Sequence, residues 1–322
     1  RPMDLAHGPL IRIELFQLAP EYFRLFLSVH HSVFDGWSVS LFLQELSAGY
    51  SWALSGKTSL VESLPLHYAD YSVWQRNMVE SPDAQKQLDY WKKKLQGPLP
   101  RAEVPLDFPR PEVRTWKGAV VQRHVPLSFR TSVEQLARTC KVTPFVIMLA
   151  GWKALLYRYT GQSDCIVGTA FAGRSRVELE TLIGSFLNTV ALRTPVSRDL
   201  PFEKLIERLD GVSKEAQDNQ DVPFERVVAE CRVERDPSRT PVFQTLFLYQ
   251  NTPDYAADFD GIVVQGEEIG NGGAKYDITV SIEPMGDGFD LNLEYSTSLY
   301  NAETIERILA RYVSLLSDAV AM

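Results

Sequence analysis

A mixed-sheet α/β fold, an α+β sandwich in two lobes, is what this 322-residue sequence predicts. Three observations carry that prediction. Runs rich in β-branched and aromatic residues are interleaved with amphipathic helical stretches, without strict βαβ alternation. A proline-rich stretch, GPLPRAEVPLDFPRPEVR (Gly97–Arg114), fits neither helix nor central strand and marks a lobe boundary. The length is enough for two lobes with a sizeable core.

Leu10–Leu18 and Tyr22–His30 read as two strands joined by a turn containing Pro20. After Gly36, apolar residues at Val39, Phe42, Leu43, Leu46, Tyr50 and Ala53 follow helical spacing, giving the order strand, tight turn, helix. HYADYSVWQRNMVES and DAQKQLDYWKKKLQG read as two more helices, which the proline-rich stretch follows. Beyond it come a strand at Ala119–Ser128 and a helix at Ser132–Cys140. A second helix opens at Thr143-Pro144, an N-cap residue followed by proline at the first helical position. Asp164–Gly173 and Phe186–Val196 read as strands, Pro201–Gln217 and Pro223–Cys231 as helices. Four strands follow at Val242–Asn251, Ile262–Ile269, Asp277–Glu283 and Phe289–Tyr295, and an amphipathic helix at Ala302–Val320 closes the chain.

A net charge of −8, with no basic block, argues against a nucleic-acid binder, whose phosphate contacts need clustered Lys and Arg. The longest apolar stretch, FVIMLAGW (Phe145–Trp152), is too short to span a bilayer, and the N-terminus lacks the layout of a signal peptide. Cys140, Cys165 and Cys231 are widely spaced and form no CxxC, which reads as unpaired thiols in a reducing, cytoplasmic setting. The chain opens without Met and almost directly within a strand, as a piece of something longer would.

Two of the five histidines stand together in HHSVFDG (His30–Gly36). Alternate residues of a strand face opposite sides, so His30 and His31 cannot both face one space. A neutral imidazole accepts a proton near neutral pH. Asp35-Gly36 supplies a tight turn, and Asp35 can cap the following helix, brace a histidine or pair with an arginine. From spacing alone, a catalytic base and a turn aspartate beside two satisfied histidines are equally well supported. A metal site lacks a third ligand, since His7, His67 and His124 lie in unrelated segments. The serine-hydrolase elbow G-x-S-x-G is absent, and the glycine-rich GNGGAKYD (Gly270–Asp277) has no GK[ST] and precedes a strand.

HHSVFDG also resembles the HHxxxDG motif of nonribosomal peptide synthetase condensation domains, members of the chloramphenicol-acetyltransferase-like superfamily. Four more segments are similar to family motifs and stand in the family's order: YADYSVWQ (Tyr68–Gln75), IGSFLNTVALR (Ile183–Arg193), NQDVPFE (Asn219–Glu225) and RDPSRTPVFQTLF (Arg235–Phe247). The family's two N-terminal motifs, including R-H-E-x-L-R-T, are not in this sequence. Epimerization domains share HHxxxDG, but IGSFLNTVALR looks like the condensation version of its segment.

The resemblance implies two chloramphenicol-acetyltransferase-like lobes forming a V with a central tunnel. Residues 1–109 would be the remainder of an incomplete N-terminal lobe, and 110–322 the C-terminal lobe. It implies amide formation between a donor acyl or peptidyl thioester and the α-amine of an acceptor aminoacyl thioester. Both would be carried on the phosphopantetheine arms of partner carrier domains, next to an adenylation domain, with no cofactor or metal bound by this domain. The amine is already a nucleophile and the thioester already activated, so no acyl-enzyme is required and the work is delivery and orientation. His31 is implied as the residue that deprotonates or orients the amine, His30 as structural, Asp35 as a brace and Gly36 as keeping the tunnel wall clear. Trp37 and Asn188 are implied as supports. Gln220, Asp221 and Arg235 would hold lobes together. Asp35 would pair with an arginine from the N-terminal motifs this sequence lacks, or with Arg12 on the neighbouring strand. A carrier-docking platform without chemistry, and an acyltransferase using a free acceptor, are the competing readings.

Overall fold

The computed structural model describes residues 3–56, 64–250, 259–267, 269, 270 and 272–321. The chain forms two compact units. One comprises Arg1–Asn77, Ala172–Leu187 and Thr252–Glu267, and the other Met78–Phe171, Asn188–Asn251 and Glu268–Met322. Residues 78–109 thus cluster with the larger unit.

In the smaller unit, β1 (Ile11–Ala19) and β2 (Tyr22–Val29) form an antiparallel pair in register Ile11↔Val29 through Ala19↔Tyr22. A short 3-10 turn, His31–Val33, follows β2 and leads into α1 (Gly36–Leu54). Asp35 is the N-cap of α1. Its extended backbone (φ −121°, ψ 178°) turns the carboxylate back to accept from the Ser38 amide, satisfying one donor the helix leaves unpaired. Then comes α2 (Tyr68–Val79), whose Tyr71 packs with Leu179, Leu182 and Phe186 into a small buried cluster.

The larger unit is built on a six-stranded sheet. Its strands are β3 (Gly118–Pro126), β4 (Asp164–Phe171), β5 (Asn188–Pro195), β6 (Thr245–Tyr249), β7 (Ile278–Met285) and β8 (Gly288–Ser296), in the order β3-β8-β7-β6-β4-β5. The β4–β6 and β6–β7 neighbours are parallel and the other three pairs antiparallel, the mixed sheet expected from irregular alternation. Five helices accompany the sheet after α3 (Pro82–Lys94): α4 (Leu127–Cys140), α5 (Pro144–Thr160), α6 (Phe202–Asp218), α7 (Phe224–Glu230) and α8 (Ala302–Val320). Helices α5 and α8 pack closely in the core. A Cβ on Gly151 would lie 2.5 Å from Leu316, and Trp152 meets Tyr312 edge-on at 5.6 Å.

Several sequence expectations are refined by the structure. The strand and helix expected at Ala119–Ser128 and Ser132–Cys140 meet earlier, because Pro126 closes β3 and becomes the N-cap of α4. Thr143 is the N-cap of α5 as expected, although its hydroxyl makes no capping bond. The strand expected over Ile262–Ile269 does not form among the described residues of that range, where the only pairing is the isolated bridge Phe259↔Ile262. Val263 is 90% exposed. β-propensity is realised only against a partner edge, and among the described residues this apolar run has no ladder beside it. Glu268 lies outside the described residues.

The proline-rich stretch expected to mark a lobe boundary is a strap fixed to the larger unit. The Asp107 and Phe108 amides donate to the Leu299 carbonyl, and the Asp107 carboxylate accepts from the Asn301 amide (2.8 Å) and the Thr304 hydroxyl (2.9 Å), capping α8. Arg110 pairs with Asp277 and with Glu103, and Arg239 with Glu103 and Asp236. No single helix among the described residues is long and apolar enough to cross a membrane.

Candidate functional site

The candidate site lies in the smaller unit, where β2 ends and α1 begins. The His30 amide donates to the Leu10 carbonyl (2.9 Å), closing the hairpin ladder at the point where the chain turns. His30 is the N-cap of the 3-10 turn. Its Nδ1 accepts the Ser32 amide at 3.1 Å and lies 2.8 Å from the Ser32 hydroxyl. Because Nδ1 is an acceptor, a neutral His30 carries its proton on Nε2. His31 has the opposite arrangement. Its Nδ1 is 2.7 Å from the Phe34 carbonyl, and a carbonyl only accepts, so in a neutral His31 Nδ1 carries the proton and Nε2 keeps its lone pair. His31 is exposed and His30 half-buried.

Asp35 is buried, with 5% of its surface exposed. Besides the Ser38 amide (2.9 Å), its carboxylate accepts the Ser38 hydroxyl (2.7 Å) and the Phe186 amide (3.2 Å). The charge is met by Arg174, whose Nη2 lies 3.1 and 3.2 Å from the two carboxylate oxygens. Arg174 is itself fixed. Its Nη1 donates to the Leu179 and Leu182 carbonyls at 2.5 and 2.7 Å, and its guanidinium lies 4.1 Å from the centroid of the Phe186 ring. The partner of Asp35 in this structure is therefore Arg174, in AFAGRSR (Ala170–Arg176), rather than Arg12.

Gly36 is the exposed first residue of α1. Trp37 is anchored by its indole N–H, which donates to the Glu180 carbonyl (2.9 Å). The segment that carries these carbonyls is itself tightly seated. Gly173 has φ +67°, and a Cβ there would fall 1.9 Å from the Phe186 carbonyl oxygen. The Tyr68 hydroxyl donates to the Ser185 carbonyl (2.7 Å), and burial pushes its pKa up. His31, His30, Asp35, Gly36 and Trp37 are thus brought together with Arg174, Ser38 and Tyr68.

Asn188 belongs to the larger unit. Its Nδ2 donates to the Gln220 and Val222 carbonyls (2.6 and 2.7 Å) and its Oδ1 accepts from the Phe224 amide (3.2 Å). The side chain holds the NQDVPFE loop to the start of β5. Asp221 in that loop exchanges two hydrogen bonds with Gln87 of α3 (2.9 and 3.0 Å), and the Trp91 indole donates to the Asn219 carbonyl (2.8 Å). In RDPSR, hydrogen bonds from Ser238 hold the Asp236 carboxyl below the usual carboxylate range.

The sequence reading missed Arg174 and Ser38. A basic residue between Gly173 and Ser175, just past the end of the apolar strand β4, was the available signal for Arg174. For Ser38 the signal was its place three residues after an N-cap aspartate, where the amide meets the cap.

Over residues 1–322 the chain matches the family model described as the condensation domain. It is 40% identical over 319 residues to a linear gramicidin synthase of Brevibacillus parabrevis, covering 98% of this chain and 4% of that protein. It is 36% identical over 323 residues to phosphinothricin tripeptide synthetase PhsC of Streptomyces viridochromogenes, covering 100% of this chain and 30% of that protein. The chain therefore spans a small part of the curated relatives it matches. Among solved structures, the X-domain from teicoplanin biosynthesis superposes with a TM-score of 0.89 at 23% identity, over 100% of this chain and 74% of that one. The first condensation domain of the calcium-dependent antibiotic synthetase, in complex with a substrate analogue, gives 0.80 at 20% identity, over 97% and 67%. These two likenesses show a shared fold.

Proposed function

The chain belongs to the condensation-domain family, and from that premise we propose that it forms an amide bond between two carrier-bound thioesters in a nonribosomal peptide synthetase. The nitrogen of the acceptor's α-amine attacks the carbonyl carbon of the donor thioester. The C–N bond forms, the C–S bond breaks, and the amine proton ends on the departing phosphopantetheine thiol. The lengthened chain is then held by the acceptor carrier. His31 Nε2 receives or orients the amine proton, Asp35 braces the turn, and Gly36 leaves room beside the reacting groups. Trp37 and Asn188 act as supports. Donor and acceptor carrier domains and a neighbouring adenylation domain are the partners, the phosphopantetheine arms belong to the carriers, and the reaction runs in the cytoplasm.

One observation supports this assignment above the others. Of the two histidines, His31 keeps Nε2 as a lone pair while Nδ1 is tied to the Phe34 carbonyl, whereas the Nδ1 lone pair of His30 is taken up by the Ser32 amide. A positioned base of this kind contributes roughly 10²- to 10⁴-fold to a rate.

The test uses the synthetase containing this chain, with loaded donor and acceptor carriers and mass-spectrometric detection of the amide on the acceptor. His31→Ala is expected to lower the single-turnover rate by roughly 10²-fold or more while carrier binding persists. A His31→Ala rate equal to wild type overturns the role of His31. Carrier binding by the wild-type protein without turnover, or an untethered amide product, overturns the reaction.

A further inference from the structure

We propose that Ser38 is a positioning residue that sets the tautomer of His31. The proposal deepens the amide-forming reading and rests on it for its consequence in turnover, but its structural core stands on hydrogen bonds alone.

Ser38 lies on the first turn of α1 with 0% of its surface exposed. Four polar groups surround its hydroxyl: an Asp35 carboxylate oxygen at 2.7 Å, the Gly184 amide and carbonyl, each at 3.0 Å, and Arg174 Nη2 at 3.3 Å. A hydroxyl has one proton and two lone pairs. The shortest contact, to a carboxylate that can only accept, takes the proton, and the Gly184 amide and Arg174 take the lone pairs. All three valences are therefore in use, at a fully buried position.

These bonds close a ring. Asp35 binds Ser38, Ser38 binds Gly184, and two residues further on the Phe186 amide returns to the other Asp35 oxygen at 3.2 Å. The far side of the ring has little freedom, because a Cβ on Gly184 would lie 2.2 Å from the Tyr68 ring, whose hydroxyl grips the Ser185 carbonyl. With the Asp35 side chain pinned at both oxygens, the peptide joining Phe34 to Asp35 is pinned as well. The carbonyl of that peptide receives the His31 Nδ1 proton. Ser38 thus acts on His31 through Asp35 and the Phe34 carbonyl, without touching the imidazole. An ordinary capping serine would affect helix stability and nothing else.

The test uses the complete synthetase for turnover, and the same protein with ring-¹⁵N histidine for NMR. Wild-type His31 is expected to show a protonated Nδ1 and a bare Nε2. Ser38→Ala is expected to give a mixture of tautomers at His31, with His30, held by Ser32, unchanged. In turnover the variant is expected to lose roughly 10-fold or more in kcat, since small displacements of reacting groups cost up to about 10²-fold, with KM for the loaded carriers unchanged. Ser38→Cys, close in size and a weak donor, is expected to behave the same way and keeps the test open if Ser38→Ala fails to fold. A His31 spectrum identical to wild type in either folded variant overturns the proposal. If wild-type protein makes no amide, the functional reading fails, while the tautomer measurement still decides the role of Ser38.

Discussion

Replacing Arg174 by methionine keeps much of the side-chain length and removes the cation placed against the Asp35 carboxylate. Both groups are withdrawn from water, with side-chain exposures of 1% for Arg174 and 4% for Asp35. The substitution strands a buried carboxylate and also leaves the Leu179 and Leu182 carbonyls without their donor. A charge-assisted hydrogen bond contributes about 1.5–3 kcal/mol and each orphaned carbonyl costs about 1 kcal/mol or more, which agrees with the ~3–5 kcal/mol lost when one partner of a buried ion pair is removed. Arg174→Met is therefore expected to destabilise the smaller unit by about 4 kcal/mol. Asp35→Asn in the same background should recover part of that loss, because the stranded charge disappears. Equilibrium urea unfolding, followed by fluorescence of Trp37 and the other tryptophans, measures both numbers through the midpoint at constant slope. A single variant within about 0.5 kcal/mol of wild type, or a double variant no better than the single, would refute the reasoning that this ion pair braces the turn.

Gly173→Ala forces a side chain onto φ +67° and to within 1.9 Å of the Phe186 carbonyl, so a loss of more than about 2 kcal/mol is expected by the same denaturation assay. Lys153 is fully buried, with its ammonium on the Cys165 and Leu192 carbonyls and the Thr194 hydroxyl, and burial pushes its pKa down to about 8. Between about pH 8 and pH 10.4 the unfolded chain holds the proton that the folded chain has released. Stability relative to Lys153→Met should therefore rise with pH across that window, by at most about 1.4 kcal/mol per unit, and a flat difference curve would show that the ammonium stays charged in the core. His124 on β3 faces Asp290 on β8 at 2.7 Å, which raises its pKa. An NMR titration should place its midpoint above that of an ordinary histidine and return it on Asp290→Asn. The raised value means the pair's contribution is complete at low pH and fades as pH rises through the folded midpoint.

Much of the fold is legible in the sequence because it is written locally. Helix α1 declares itself by the spacing of Val39, Phe42, Leu43 and Leu46 behind an Asp-Gly pair, and α5 by Thr143-Pro144 ahead of a broad apolar face. The strand expected at Ile262–Ile269 shows the limit of such reading. Its residues have the right propensity, but a strand exists only where a second strand offers its hydrogen-bonding groups, and that partner cannot be found by inspecting the segment itself. The proline-rich stretch misleads in the same way. Its composition excludes regular structure, yet Asp107 and Arg110 find their partners 197 and 167 residues onward, at Thr304 and Asp277, and make it part of the larger unit.

For the candidate site, HHSVFDG by itself determined that two histidines stand before a capped helix, because N-cap chemistry acts over three or four residues. Strand alternation does not govern the pair, since β2 ends at Val29 and His30 caps the 3-10 turn that His31 opens. Only the tertiary structure decided which imidazole nitrogen is bare and which arginine meets Asp35. The tautomer of His31 depends on where the Phe34 carbonyl points, and the pairing joins positions 139 residues apart in sequence. Periodicity encodes which face of an element is apolar, whereas a buried ion pair is encoded by how two distant segments pack, and that is settled only when the chain has folded.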